Sequence, residues 1–306
     1  MMNIVITGAT GFIGRHLVRY FQAAGHHLSI LTRQPRKAGK LFSPEVNIIP
    51  WDAFSSGDWE TALADAGVMI HLAGASIARF WTSRYKRQIW QSRVQSTRIL
   101  MQALQRVARQ PVIFFQMSAT GIYGSRGDET LTEQSAAGTG FLARVVREWE
   151  TAGEVGRDKP IRRIIMRAGV VLGRDGGFLP RMERPMKWFL GGYPGKGRQW
   201  FSWIHVEEIP AIIQFMIRHS QCQGIYNFVA PEPVPLRHFC RTLANTVKRP
   251  CWLPIPVFPL KLLLPEMTRE LILPSQRVLP QQLMQQGYTF RFPTLKAALH
   301  NLYALD

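Results

Sequence analysis

The stretch NIVITGATGFIG, Asn3–Gly14, decides the fold. Asn3 to Thr7 is a short apolar run of the kind that forms a strand buried on both faces, and the residues from Phe12 onward set Ile13, Leu17, Val18 and Phe21 along one side of a helix. Between strand and helix stand Gly8, Gly11 and Gly14. Gly8 permits a sharp turn off the strand, Gly11 lets the backbone approach a pyrophosphate, and Gly14 lets the helix pack closely against the sheet. Amides left free at the helix start then face two negative phosphates, so the ligand this stretch predicts is a dinucleotide. Its expected contacts run through Thr7, Gly8, Thr10, Gly11, Phe12, Ile13 and Gly14.

Further along, His27–Thr32 reads as a second strand ending at Arg33. An acidic residue at that strand end would hold the free 2′-hydroxyl of an adenosine ribose, whereas an arginine pairs with a 2′-phosphate. Arg33, with Arg36 and Lys37 close behind it, favours NADP(H) over NAD; the alternative is a solvated basic loop. Residues 46–50 form a third apolar stretch, and Asp52 behind it either accepts a hydrogen bond from adenine or orients its own turn. Val68–Leu72 reads as a fourth strand, after which Leu72, Ala73 and Gly74 make a small turn where the cofactor diphosphate and ribose would pass. His71 lies inside that apolar strand and reads as packed between sheet and helix rather than as a catalyst.

Residues 84–109 carry Ile89, Val94, Leu100, Leu104 and Val107 at helical intervals, a long crossover over one face of a sheet. Lys86 and Arg93 are single basic residues on it, and neither receives a catalytic role. Val112–Met117 returns as a fifth strand, so the polar stretch from Ser118 to Gly124 falls at the carboxyl edge of the sheet, where such folds bind ligands. Ser118, Thr120 and Tyr123 offer hydroxyls there, close to the expected nicotinamide. A helix over about residues 140–153 and a sixth strand over Ile161–Arg167 follow, with Arg167 among the expected cofactor contacts. Beyond them, prolines such as Pro180, Pro185, Pro194 and Pro210 interrupt any repeated strand–helix unit.

The resulting expectation is an α/β protein: a Rossmann-like, doubly wound parallel sheet with a smaller, mostly helical C-terminal substrate lobe. Residues 1–172 would form the NAD(P)-binding domain, with returns near residues 200–230, and residues 173–306 the smaller substrate or partner lobe. In that lobe Arg198, in a glycine-flanked loop, is placed to hold a carboxylate or phosphate, and His205 is a second candidate for binding substrate.

Composition narrows the class further. The 306 residues are 46% hydrophobic and 19% charged, as in an ordinary globular protein able to build a main domain and a smaller one. Lys and Arg number 38 against 20 Asp and Glu, a formal charge of +18, yet the basic residues are scattered and fit no nucleic-acid-binding motif. The partner expected is a small-molecule, anionic substrate, and no nucleic acid. No apolar run reaches the length of a membrane span, and a strand stands where a cleavable signal would, so a cytoplasmic protein without a membrane partner is expected. A homo-oligomer is compatible with this reading. Cys222, Cys240 and Cys251 have neither disulfide nor metal spacing, and no metal is expected.

The glycine stretch, the HLAG turn at His71–Gly74, the SATGIYG loop at Ser118–Gly124 and the WIHVEE segment at Trp203–Glu208 together resemble the extended, atypical short-chain dehydrogenase/reductase superfamily. Three longer stretches, GASIARFWTSRYKRQIWQSRV from Gly74, GKGRQWFSWIHVEE from Gly195 and SQRVLPQQLMQQGYTFRFPTLKAAL from Ser275, resemble its branch of NAD(P)-binding epimerase-family proteins with a C-terminal domain of unknown function. The resemblance implies a TGxxGFxG motif at Thr7, Gly8, Gly11, Phe12 and Gly14, and it makes Asp52 the acidic residue beside adenine. It also implies a catalytic serine or threonine four residues before the tyrosine of a YG pair. That position is Ala119 here, with Ser118 and Thr120 on either side.

Enzymes of the superfamily use a YxxxK pair in which the lysine favours the tyrosine's phenolate. The matching positions are Phe141 and Val145, which exchange no proton. The function expected is that of an NADP-binding oxidoreductase or nucleotide-sugar-epimerase-like protein lacking this pair, with Tyr123 as the leading substitute acid and Ser118 and Thr120 as alternative donors. The loss of the pair leaves a second expectation open, a non-catalytic NADP-binding sensor or regulatory protein.

Overall fold

Every residue of β1 (Asn3–Thr7) after Asn3 is buried, as an apolar strand covered on both faces requires. In the computed structural model, which describes residues 1–156 and 160–304, this strand lies inside a seven-stranded sheet. The other strands are β2 (His27–Thr32), β3 (Asn47–Pro50), β4 (Val68–His71), β5 (Val112–Ala119), β6 (Ile161–Ala168) and β7 (Gly224–Phe228), in the order β7-β6-β5-β4-β1-β2-β3. β1 pairs in parallel with both β2 and β4, β2 with β3, and β4 with β5. The register sets Thr7 opposite Leu31 on one side and His71 on the other. The chain runs outward from β1 to β3 and resumes on the opposite side at β4. The carboxyl ends of β1 and β4 therefore flank the topological switch point of a Rossmann-like sheet.

Helix α1 (Phe12–Ala23) buries Gly14, Leu17, Val18 and Phe21, a single stripe at intervals of three and four residues. Helix α2 (Ser83–Val107) starts where the Thr82 hydroxyl accepts a hydrogen bond from the Tyr85 amide at 3.1 Å. Its buried Leu100 and Leu104 join Val5, Leu31, Met69 and Phe114 in one core, where each such side chain contributes roughly 1.5–3 kcal/mol relative to exposure. Replacing the cap, Thr82→Ala, is expected to lower unfolding free energy by about 1 kcal/mol, read from the urea midpoint at unchanged slope. Helix α3 (Phe141–Ala152) follows the loop after β5.

Two units are distinguishable: the first comprises Met1–Ser118, Val145–Met166 and Ile209–Ile225, the second Ala119–Arg144, Arg167–Glu208 and the residues from Tyr226 onward. The second has its own core of Leu172, Trp203, Phe239, Leu243, Leu295 and Leu299. Its helices include Leu236–Thr246 and Leu295–Tyr303, and its strands pair two by two. Of the stretches expected to rejoin the large sheet, Gly224–Phe228 is its edge strand β7, whereas Trp203–His205 pairs in parallel with Val170–Leu172. Gly169 makes that pairing possible, because a Cβ there would stand 2.7 Å from the Ser202 carbonyl oxygen. Among the described residues no helix is long and apolar enough to cross a membrane.

Candidate functional site

The glycine turn lies at the switch point of the first unit. Gly8 has φ +70°, its carbonyl accepts the Gly11 amide at 3.0 Å, and a Cβ on it would stand 2.9 Å from the Leu72 carbonyl carbon. Only glycine combines that backbone with so close an approach to the turn after β4. No side chain caps the start of α1 and no acidic residue lies in its first turn, so its leading amides meet no competing carboxylate. Those features fit a dinucleotide's phosphates: a helix start without its own anion, reached by a backbone stripped of side chains. Thr10, Phe12 and Ile13 are half-buried around the turn, while Gly11 is exposed.

Thr7 ties the two strand ends together. Its Oγ1 accepts the amides of Leu72 and Ala73 at 3.2 and 3.3 Å and lies 2.7 Å from His71 Nδ1. With both lone pairs so engaged, the Thr7 hydroxyl donates to Nδ1, and the proton of the neutral imidazole sits on Nε2, 2.9 Å from Thr97 Oγ1. Trp149 Nε1 donates to the same Thr97 oxygen at 2.9 Å. His71 is fully buried, and burial pushes its pKa down to about 3. The chain Thr7–His71–Thr97–Trp149 thus runs beneath the turn from sheet to both helices. Sequence did not single out Thr97, and it gave Trp149 only a packing position on its helix; the usable signal was a pair of small polar residues, Ser96 and Thr97, both buried on the apolar face of α2.

Arg33, Arg36 and Lys37 are exposed beyond β2, where no carboxylate precedes them. Asp52 is also exposed, and its carboxylate accepts the amides of Phe54 and Ser55 at 2.8 and 2.9 Å and the Ser55 hydroxyl at 2.6 Å. These bonds hold its pKa below the ordinary range, the Ser55 hydroxyl contributing most, and they support Ala53 at φ +77°. At the end of β5 the Ser118 hydroxyl donates to Glu150 Oε1 at 2.5 Å. Val145 is buried on α3, as is Phe141 of the preceding turn.

The remaining candidates belong to the second unit. Tyr123 is fully buried; its hydroxyl donates to Asn227 Oδ1 at 2.8 Å and accepts from Arg167 Nη1 at 3.0 Å, with the guanidinium carbon 5.2 Å from the ring centroid. Glu133 Oε1 in turn accepts the Asn227 and Gln282 amides at 2.9 and 3.3 Å. Burial raises the pKa of both Tyr123 and Glu133. Thr120 Oγ1 is 3.2 Å from Gln276 Oε1. Arg198 is exposed, whereas His205 is fully buried, stacked on Phe292 at 4.0 Å, its Nδ1 accepting the Glu207 amide at 3.1 Å. Asn227 and Glu133 reach Tyr123 only through folding, across sequence gaps that no local motif marks. Among the described residues no group of His, Cys, Asp and Glu is arranged to hold a metal.

Comparison with known proteins adds a second line of observation. The family model "NAD dependent epimerase/dehydratase family" matches residues 4–228, and "Domain of unknown function (DUF1731)" matches residues 255–302. The epimerase family protein YfhF of Bacillus subtilis is 38% identical over 304 residues, 99% of this chain and 98% of that protein. The crystal structure of human epimerase family protein SDR39U1 (isoform 2) with NADPH superposes with a TM-score of 0.87 at 28% identity, covering 99% of both chains. That of the nucleoside-diphosphate sugar epimerase from Corynebacterium glutamicum gives 0.78 at 31% identity, covering 99% of this chain and 58% of that one.

Proposed function

The chain belongs to the NAD dependent epimerase/dehydratase family, and from that premise we propose that it is an NADP(H)-dependent oxidoreductase or epimerase acting on a small anionic substrate of the nucleotide-sugar kind. The observation that carries the choice of cofactor is Arg33, exposed at the end of β2 where an NAD-binding chain would hold a ribose with a carboxylate. A guanidinium there recognises a 2′-phosphate by paired, charge-assisted hydrogen bonds. The human relative crystallised with NADPH is in keeping with this cofactor, and the similar nucleoside-diphosphate sugar epimerase from Corynebacterium glutamicum is in keeping with the substrate class.

The glycine turn and the amides opening α1 would hold the diphosphate, Arg33 the 2′-phosphate, and the Leu72–Gly74 turn the ribose beside it. Asp52 would accept from adenine with whatever capacity its own turn leaves free. The chemistry that cofactor supplies is hydride transfer at nicotinamide C4. Ser118 directs its proton at Glu150 Oε1, so that pair can draw a proton from a substrate oxygen, Ser118 taking the substrate's proton as it gives its own to Glu150. Tyr123 would act only after its bond to Asn227 is exchanged for one to substrate, with Arg167 beside it to favour the phenolate. Thr120, Arg198 and His205 are proposed to orient the substrate.

Phe141 and Val145 favour a second reading, an NADP-binding sensor that performs no turnover, because neither carries a proton where the superfamily's pair would stand. Titration separates these ideas in two steps. NADPH is expected to bind at least about tenfold more tightly than NADH, and Arg33→Ala to remove that preference while leaving NADH unaffected, a tenfold change being about 1.4 kcal/mol. Equal affinities in the parent protein would reject the NADP assignment. Oxidation of NADPH by any member of a carbonyl and nucleotide-sugar panel then excludes the sensor.

A further inference from the structure

Three half-buried arginines of the first unit differ in how far their donors are used. Arg162 Nη1 donates to the carbonyls of Met216, His219 and Cys222 at 3.0, 3.0 and 2.9 Å. Arg163 donates to Gln116 Oε1 at 3.0 and 2.6 Å and to the Glu150 carbonyl. Arg93, midway along α2, donates from Nη1 to the Ile89 carbonyl at 3.2 Å, and its guanidinium carbon lies 5.2 Å from the centroid of the Trp149 ring. Among the described residues no carboxylate faces it. Desolvation draws its pKa down to about 10, so it remains charged at neutral pH. Arg93 is half-buried, and four of its five N–H groups are given no acceptor by the protein, so an anion that joins it meets a charge without a counter-ion.

The place where an anion can join it is Gly74. A Cβ on that residue would stand 3.2 Å from the Arg93 guanidinium carbon and 3.3 and 3.4 Å from its two terminal nitrogens. Gly74 is exposed, and no side chain of its own stands against the guanidinium at the turn after β4. The neighbouring Ser92 Oγ accepts the Ala75 amide at 2.9 Å and clasps that turn to the helix. The turn itself abuts Gly8 and hence the switch point.

We infer that Arg93 is an anion-binding residue of this site, its guanidinium receiving the oxygens of a phosphate or carboxylate that arrives over Gly74. The anion belongs either to the dinucleotide's diphosphate or to the charged end of the substrate. Only this choice of source rests on the function proposed above; the guanidinium's lack of a counter-ion does not.

The test compares the parent with Arg93→Met, using inorganic phosphate and NADPH as probes at constant ionic strength. Phosphate is expected to raise the parent's thermal midpoint saturably, and Arg93→Met to weaken that dependence at least tenfold. Ligand-free Arg93→Met is expected to be at least as stable as the parent, since a half-buried charge without a counter-ion has been removed, and a purely structural arginine would give the opposite sign. A parallel tenfold loss of NADPH affinity identifies the dinucleotide as the source. Unchanged NADPH affinity, with phosphate still binding to NADPH-loaded parent but not to loaded Arg93→Met, identifies the substrate. Phosphate binding without NADPH binding in the parent would sink the nucleotide reading and keep the anion site. Equal phosphate dependence in parent and variant overturns the inference. Should Arg93→Met not fold, Gly74→Ala closes the approach while keeping the arginine, and unaltered phosphate binding there overturns it equally.

Discussion

Gly14→Ala is expected to reduce NADPH affinity by at least about 100-fold, equivalent to about 2.7 kcal/mol. The added methyl would stand 2.5 Å from both the Ala9 Cα and the Gly8 carbonyl oxygen, and 2.7 Å from the Ala9 carbonyl oxygen. All three atoms are backbone, so no side chain can swing away. The first turn of α1 must instead move relative to the glycine turn, and hydrogen bonds from its amides weaken steeply once their length and angle are lost. Gly25→Ala supplies the comparison: that residue has φ +77° but nothing within 4 Å of its Cβ position. It is expected to lose about 1 kcal/mol of stability from the left-handed backbone and to bind NADPH like the parent. If Gly14→Ala retained affinity within threefold, the amides of α1 would not be holding the phosphates.

Acid is expected to destabilise the first unit through His71. Its pKa is about 3 when folded against an ordinary 6.5, so below pH 6.5 the unfolded chain binds a proton that the native state refuses. The stabilising contribution is complete above pH 6.5 and falls by about 1.4 kcal/mol for each pH unit below it, reaching about 4 kcal/mol lost near pH 3.5. That is a large share of the 5–15 kcal/mol typical of a domain. The cost comes from burial: the imidazolium would carry its charge where no water reaches it. Urea unfolding from pH 7.5 to 4.5 measures the slope, and His71→Gln, which can accept from Thr7 and donate to Thr97, provides the non-titrating reference. Identical slopes in the two proteins would remove His71 as the cause.

How far the sequence could be read depended on whether the interaction was local. The strand, turn and helix of residues 3–23 lie within one contiguous stretch, and Gly8, Gly11 and Gly14 mark it by their type alone. Arg33 was legible because the end of β2 needs only one residue to declare its charge. Tyr123 was visible as a hydroxyl beside a sheet edge, but its partners Asn227 and Arg167 come from distant strands and are joined to it only by the fold. Arg93 resembled any lone basic residue on a half-exposed helix. What distinguishes it is the side chain that Gly74 lacks, a relation between two elements that helical periodicity does not encode. The positions of Phe141 and Val145 were legible as a departure, yet their consequence for turnover is a chemical question.

The hydroxyl of Thr7 serves two amides and one imidazole, and through Thr97 that imidazole shares an acceptor with an indole. Descendants of this chain could therefore exchange residues on the helix surfaces one at a time while adapting to new substrates. Thr7, His71, Thr97 and Trp149 would change one at a time only to residues that keep the same donors and acceptors, because any other change strands a buried polar atom on the next.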